Sequence, residues 1–468
     1  MHKPSTAGLA LAMTLVLSGC ATLAPRGSEV APSIPSQWPA AAQATGTAGQ
    51  VPVVADVADI GWREFFPDPR LQALITQSLD NNRDLRVAAL NVVRARAQYR
   101  IQRADRVPSF NVQGQMNRSG GDAPVSEQFS ANLGVAEFEL DLFGRVRNLS
   151  EAALQRYFAE TANRRGAQLS LVAEVANAWL TLGADREQLQ IAQATLAAHE
   201  NSLRLIEARH RRGGSSALDV SQARTLVETA RTDVARFSGQ VAQDRNALVL
   251  LAGGPVDEDL LPRDNLADVA ALRPLPAGLP GDVLLRRPDV MAAEHVLLSA
   301  NANVGAARAA FFPSIQLTGT IGSASTELSG LFDGGTRAWS FIPRITLPIF
   351  QGGRLRANLG VATADQDIAL AQYEKAIQSG FREVADALAL GDSLDGQLAS
   401  QRALVSATEQ AERLSQARYE AGLDSFLTLL DARRAAYGAR QSLVNTRLAQ
   451  QSNQVALYKV LGGGWREG

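Results

Sequence analysis

The 468-residue chain holds one cysteine, Cys20, so neither a disulfide framework nor a thiolate metal cluster is open to it. Of its four histidines, His2 lies at the very start, and His199, His210 and His295 show no metal-ligand spacing. His199 and His210 stand eleven positions apart (199 to 210), roughly one helix face, which reads as a solvated face. There is no phosphate-binding loop, no Gly-x-Ser-x-Gly and no cysteine placed as a nucleophile; Gly462, Gly463 and Gly464 close a helix and follow no strand. An enzyme is therefore left without its groups, and no cofactor or metal is expected. Lysine and arginine number 46 against 47 acidic residues, with no basic block, which removes the electrostatic case for nucleic acid. After residue 20 no apolar run reaches about 18 residues, so a transmembrane helix is excluded.

What is present starts with a leader. His2 and Lys3 precede an apolar run over 7–17, and Leu17-Ser18-Gly19-Cys20 follows with small residues before a cut. A cysteine at that junction looks like a bacterial lipobox, with 1–19 as signal peptide and Cys20 as the acylated first residue of the mature chain. An ordinary signal peptide with a chance cysteine is the alternative, and it leaves Cys20 nothing to pair with. By similarity to sorted lipoproteins, Ala21 in place of an aspartate points to the outer membrane. Such a lipid tethers a chain without making it span the bilayer. Residues 20–60, rich in Ala, Pro, Gly, Thr and Ser, read as an extended tether.

The rest is built twice. Residues 417–433, A-R-Y-E-A-G-L-D-S-F-L-T-L-L-D-A-R, overlay on 208–224, A-R-H-R-R-G-G-S-S-A-L-D-V-S-Q-A-R. One shift of 209 positions sets Arg418 on Arg209, Gly422 on Gly213, Leu427 on Leu218 and Arg433 on Arg224. Each stretch is a helix, a glycine turn and a helix, the tip of a long hairpin, and a duplicated hairpin of this size is an architecture. The first repeat is assigned to 61–253, a breaker-rich connector to 254–287, the second repeat to 288–464 and a tail to 465–468.

Within the first repeat, Asp68-Pro69 is a helix start, and the spacing predicts a helix over 69–107 that stops ahead of Pro108. Phe110, Val112, Gly114 and Met116 then alternate with Asn111, Gln113, Gln115 and Asn117, a half-apolar strand. A return strand over 129–140 changes phase near Ala136, which predicts a bulge. No proline interrupts 146–212, so a helix or broken pair of helices about 100 Å long is expected, with a return helix over 217–251. The second repeat follows suit: a helix from Pro288, strands over 315–321 and 339–349, a long helix over 354–421 and a return over 425–461.

Strands of this length suit a tilted crossing of a bilayer. Two hairpins cannot close a barrel, and an open sheet edge in hydrocarbon costs several kcal/mol per unpaired group, so several chains must share one barrel. Two, three or four chains would each give an even strand number.

The motifs Trp62-Arg63-Glu64-Phe65-Phe66, Asp68-Pro69-Arg70-Leu71, Asn82-Arg83-Asp84-Leu85, Leu285-Arg286-Arg287-Pro288-Asp289-Val290 and the run 303–314, N-V-G-A-A-R-A-A-F-F-P-S, resemble the lipoprotein outer membrane factors of Gram-negative efflux pumps, the OprM, NodT and TolC type. The resemblance covers nearly the whole mature chain. It implies an α+β membrane protein whose duplicated unit gives four transmembrane β-strands per chain. A homotrimer then shares a twelve-stranded β-barrel in outer membrane lipid, continued by a long periplasmic α-helical barrel. It implies as partners a periplasmic adaptor (membrane fusion) protein and an inner-membrane transporter of RND type, for which the trimer is the exit duct for drugs and other small molecules. It places a gate at the periplasmic tip. Asp431, whose counterpart is Gln222, takes the place of a gate aspartate; three such carboxylates on one axis would favour cations while the tip is closed. Leu427, one turn away, would form an apolar constriction; Arg418 and Tyr419 would donate hydrogen bonds to neighbouring helices and Asp424 accept them. Tyr419 and Asp424 have His210 and Ser215 as counterparts, so the two tips would move unequally.

Two readings compete. A non-transporting periplasmic scaffold lipoprotein of helical hairpins would need no one-sided strands. A duct for protein secretion or metal-ion export keeps the fold and changes the cargo, and with four methionines in the whole chain no cluster favours soft metals.

Overall fold

The computed structural model describes residues 60–122, 124–263 and 281–463, with 23–25, 34, 35, 38 and 272 besides. The leader 1–19, Cys20, most of the 20–60 segment and the tail 465–468 lie outside them. In chain order the elements are α1 (Trp62–Phe65), α2 (Pro69–Asn81), α3 (Arg83–Ala104), β1 (Phe110–Ser119), β2 (Ser126–Leu140), α4 (Arg145–Arg211) and α5 (Ala217–Ala252). After short 3-10 turns come α6 (Pro288–Ala309), β3 (Ser314–Ser325), β4 (Arg337–Thr346), α7 (Arg354–Glu420) and α8 (Phe426–Val460). The long helices α4 and α7 have 67 residues each and are unbroken. Glycines in the left-handed region recur at the same 209-position shift, 144 with 353, 213 with 422 and 253 with 462, so both copies turn at matching points.

The helix expected over 69–107 is two helices. Asn82 is extended (ψ 132°) and splits α2 from α3. Its Nδ2 donates to the Leu251 carbonyl (3.0 Å) at the end of α5, and its Oδ1 accepts from the Leu85 N–H (3.0 Å), capping α3. A side chain that satisfies two helix ends outweighs one i to i−4 bond, and that contact across 169 positions leaves no mark in local periodicity. The helix also ends at Ala104, ahead of Val107. At the other end Asp68 caps α2 as expected, accepting from the Arg70 N–H at 2.9 Å with Pro69 in the first turn.

The chain divides into two compact units. One holds the strands with helix segments 90–104, 145–162, 291–309 and 354–376. Its sheet is antiparallel in the order β1-β2-β3-β4. Register builds uniform cross-strand rows: Phe110, Val135, Gly319 and Phe341 form one, and Val112, Leu133, Ile321 and Trp339 the next. The intervening row is polar, Asn111, Gly134, Thr320 and Ser340, with Thr320 Oγ1 2.7 Å from Ser340 Oγ. The bulge falls at 136–137, where Glu137 takes a φ of 53° and its N–H reaches Thr318 Oγ1 at 3.2 Å. That extra residue resets the phase, so Phe138 and Leu140 join Leu317 and Ile315 on the apolar face that Val135 left. The sheet therefore has one mainly apolar and one mainly polar face; Ile342 opposite Thr318 is an apolar member of the polar face, and Arg337 and the Arg118–Glu127 pair fall at the far end of the apolar one. β4 stops at Thr346, so Leu347 and Ile349, expected in the strand, lie beyond it, next to Pro348. Beside the sheet α6 packs on α4: Ser299 Oγ donates to the Ala152 carbonyl at 3.0 Å, and His295 Nδ1 lies 2.8 Å from Gln155 Oε1.

The second unit holds the hairpin arms of α4/α5 and α7/α8 with α1 and α2. Its core joins Trp62, Phe65, Phe66, Leu74, Val172, Trp179, Leu248 and Tyr458. Phe65 stacks on Tyr458 with ring centres 4.0 Å apart, and the Tyr458 hydroxyl donates to the Ile60 carbonyl at 2.7 Å. Arg287, from the Leu285–Val290 motif, is buried. It binds Asp289 (2.8 Å), Glu383 (2.7 Å) and the Val460 carbonyl (2.7 Å), so one guanidinium ties the start of the second repeat to α7 and closes the end of α8.

Candidate functional site at the hairpin tips

Both tips belong to the helical unit. α4 ends in a turn through Gly213 (φ 75°), and α5 restarts on a capping box in which Ser216 and Asp219 exchange side-chain and backbone bonds. α7 ends in a turn through Gly422 (φ 74°), and Ser425 caps α8 by accepting from the Thr428 N–H. The tips meet in a small apolar cluster: Ile206 from α4, Ala223 from α5, and Phe426 and Leu429 from α8, with Tyr419 packed against it. Tyr419 lies 5.6 Å from Phe426, and the Arg209 guanidinium sits 5.5 Å from its ring centre. It thus joins the two hairpins through its ring.

Arg418 and Asp424 pair with each other across their own turn, Nε to Oδ2 at 2.7 Å and Nη2 to Oδ1 at 3.0 Å. Each shifts the other, lowering the Asp424 pKa and raising that of Arg418. Within one chain the two form a bidentate clamp on the glycine turn. In the first copy the matching place is held by His210 Nδ1, 2.7 Å from the Ser215 carbonyl oxygen. Asp431 is exposed and has no partner among the described residues. Leu427 is 50% exposed, and its counterpart Leu218 is 64% exposed, so both copies present a leucine as the second residue of the return helix.

One residue that sequence reasoning passed over is Arg433. Its Nη2 donates to Gln416 Oε1 at 2.6 Å within the second hairpin, and its Nη1 to Ser202 Oγ at 2.8 Å on α4 of the first. The same shift of 209 carries this contact onto Arg224, whose Nη2 lies 3.5 Å from Glu207 Oε1. The available signal was that arginine ends both copies of the repeated stretch. Burial depresses the Arg433 pKa, and its partners are neutral where Arg224 has a carboxylate. Beside it His199, 8% exposed, lines a cleft of about 410 Å³ with Arg433, Tyr437 and Arg440. Burial, then the Arg433 charge, push its pKa down to about 4.

What this arrangement offers is a set of links that hold two hairpin tips together. A family model described as outer membrane efflux protein matches residues 74–254 and 279–463, both halves of the duplication. The chain belongs to that family. Among similar outer membrane efflux proteins are the antibiotic efflux pump outer membrane protein ArpC and the toluene efflux pump outer membrane protein TtgC, both of Pseudomonas putida. Each is 47% identical over 98% of this chain and 96% of the relative. A solved structure of the open state of the MtrE outer membrane channel of Neisseria gonorrhoeae is 40% identical, with a TM-score of 0.86 over 95% of this chain and 99% of that one.

Proposed function

We propose that this outer membrane efflux protein is the passive exit duct of a tripartite pump, conducting small molecules from periplasm to exterior through a trimer with a gated tip. The observation that carries this is the sheet, apolar on one face, polar on the other, with β1 and β4 as free edges. Such a sheet is stable in lipid when its edges pair with those of sister chains and its polar face lines water. Three chains of four strands make a twelve-stranded wall. The helical hairpins then engage an adaptor and an inner-membrane transporter of RND type, which supplies the energy, while lipid on Cys20 anchors the start of the mature chain. Relatives named for antibiotics and toluene support small-molecule cargo over proteins or metal ions.

In this reading Asp431 and Leu427 form the closure, Arg418 with Asp424 stiffens the turn, and Tyr419 holds the hairpins to each other. The test has two parts. Adaptor and transporter should co-purify with the tagged protein from native membranes, and their absence after crosslinking counts against the pump. Asp431→Ala should raise the ion conductance of the duct reconstituted in a planar bilayer; an unchanged conductance removes Asp431 from the gate.

A further inference from the structure

The polar face of the sheet is almost free of charge. Its rows are mostly amides, hydroxyls and glycine, as in Gln113, Asn132 and Gly322 or Asn111, Gly134, Thr320 and Ser340, with alanine at 324 and 338 and Ile342 opposite Thr318 as apolar members. Among the paired rows of that face formal charge enters in one, Glu139, Gln316 and Arg344, at the end of the sheet nearest α6, with Glu137 at the bulge outside any row. Glu139 is neutralised: the Arg145 guanidinium binds both of its oxygens, Nε to Oε1 at 2.8 Å and Nη2 to Oε2. Arg344 is exposed and has no hydrogen bond or ion pair among the described residues. The row therefore carries a net positive charge on the polar face. Two more carboxylates lie at this end: Glu137 at the bulge, two strands away from β4, and Asp141, which lines a cleft with Gln316 and Thr346 and accepts from the Arg147 N–H at 2.7 Å.

The geometry points to Arg344 as a selectivity residue of the barrel, a ring of three guanidinium groups that favours negatively charged solutes over cations at the inner end of the β-wall. This rests on the duct reading, in which the polar face lines the passage. A wall with few formal charges offers little to offset an unpaired guanidinium, which contributes to the local potential within about a Debye length, roughly 10 Å at 0.1 M salt. Rings of like charge set the sign of the favoured ion in pores generally. The ring has the opposite sign to the carboxylates proposed at the tip, so the two ends of the passage would sort charge differently, and the barrel would set the preference once the tip is open.

The experiment is a reversal-potential measurement in asymmetric KCl across a planar bilayer. Wild type, Arg344→Gln and Arg344→Glu are compared on an Asp431→Asn background, which removes the charge of the tip ring. The chloride-to-potassium permeability ratio should fall by about threefold or more from Arg to Gln and further to Glu, and the steps should shrink at 1 M salt. Arg344→Lys should keep the wild-type ratio, and Glu137→Gln should move it toward chloride. A ratio that stays the same from Arg344 through Gln to Glu, in channels of normal conductance, overturns the inference. A trimer that inserts and never conducts overturns the duct reading itself, and this inference with it.

Discussion

Two arginines one repeat apart show what a single side chain contributes. Arg433 is part-buried and bonded to Gln416 and Ser202, joining hairpin to hairpin; Arg224 is 64% exposed at its side chain and meets Glu207 at 3.5 Å within one hairpin. A hydrogen bond to a charged group away from water contributes about 1.5–3 kcal/mol, whereas a surface ion pair contributes about 0–1 kcal/mol. Arg433→Ala should thus destabilise by about 2–4 kcal/mol and raise the open probability of the reconstituted duct, and Arg224→Ala should leave both near wild type. Single-channel recording with thermal melts separates them; equal effects would remove the cross-hairpin link from the closure. None of this asymmetry was legible in the sequence, where both positions read as the arginine that ends the stretch. What differs is the environment assembled around them.

His199 adds a pH dependence at the same seam. Its pKa is about 4 in the folded chain against an ordinary 6.5, because burial and the adjacent Arg433 disfavour the charged ring. The unfolded chain therefore takes up its proton first as pH falls. The stabilisation by the neutral ring is complete above about 6.5 and is lost progressively from 6.5 down to about 4. The apparent melting temperature of wild type should fall more between pH 7.5 and pH 4.5 than that of His199→Gln. Parallel curves would show that the histidine carries no part of the acid response.

At the scale of elements the repeat did most of the work of reading. The long helices were legible because no proline interrupts 146–212 and apolar residues recur at steps of three and four over 354–421, and the structure decides for one unbroken helix where a broken pair was also open. The bulge at 136–137 was visible as a change of phase, since an extra residue in a two-residue period reverses every side chain after it. Its purpose was not visible. Register shows that it keeps Phe138 and Leu140 on the apolar face, so the apparent irregularity preserves a one-sided sheet. The break at Asn82 was missed because its bond to the Leu251 carbonyl depends on the arrival of α5; the other, from the Leu85 N–H, is a local cap that an asparagine before Arg83-Asp84-Leu85 could have signalled. The clamp of Arg418 on Asp424 and the ring contacts of Tyr419 likewise depend on how the turn closes.

At the scale of the molecule, the sheet alone makes a claim about solvent. Its apolar face is open in the single chain, Val112 at 80% and Trp339 at 76% exposed, and both lie in one cross-strand row with Leu133 and Ile321. In water such a face would drive aggregation; in hydrocarbon it is the low-energy surface, and the aromatic Trp339 and Phe341 sit on it beside aliphatic side chains. Val112→Arg puts a charge into the middle of that face on an edge strand. If the row meets lipid, the cost is about 2–4 kcal/mol per chain near the bilayer centre, repeated in each of three chains by symmetry. The variant should assemble poorly in the outer membrane, read as loss of the heat-sensitive oligomer on unheated gels and as antibiotic sensitivity. Gln113→Arg, one position along and on the polar face, should assemble normally, because a charge there meets water. Equal tolerance of both substitutions would mean that the apolar face is not against lipid, and the shared barrel would fall with it.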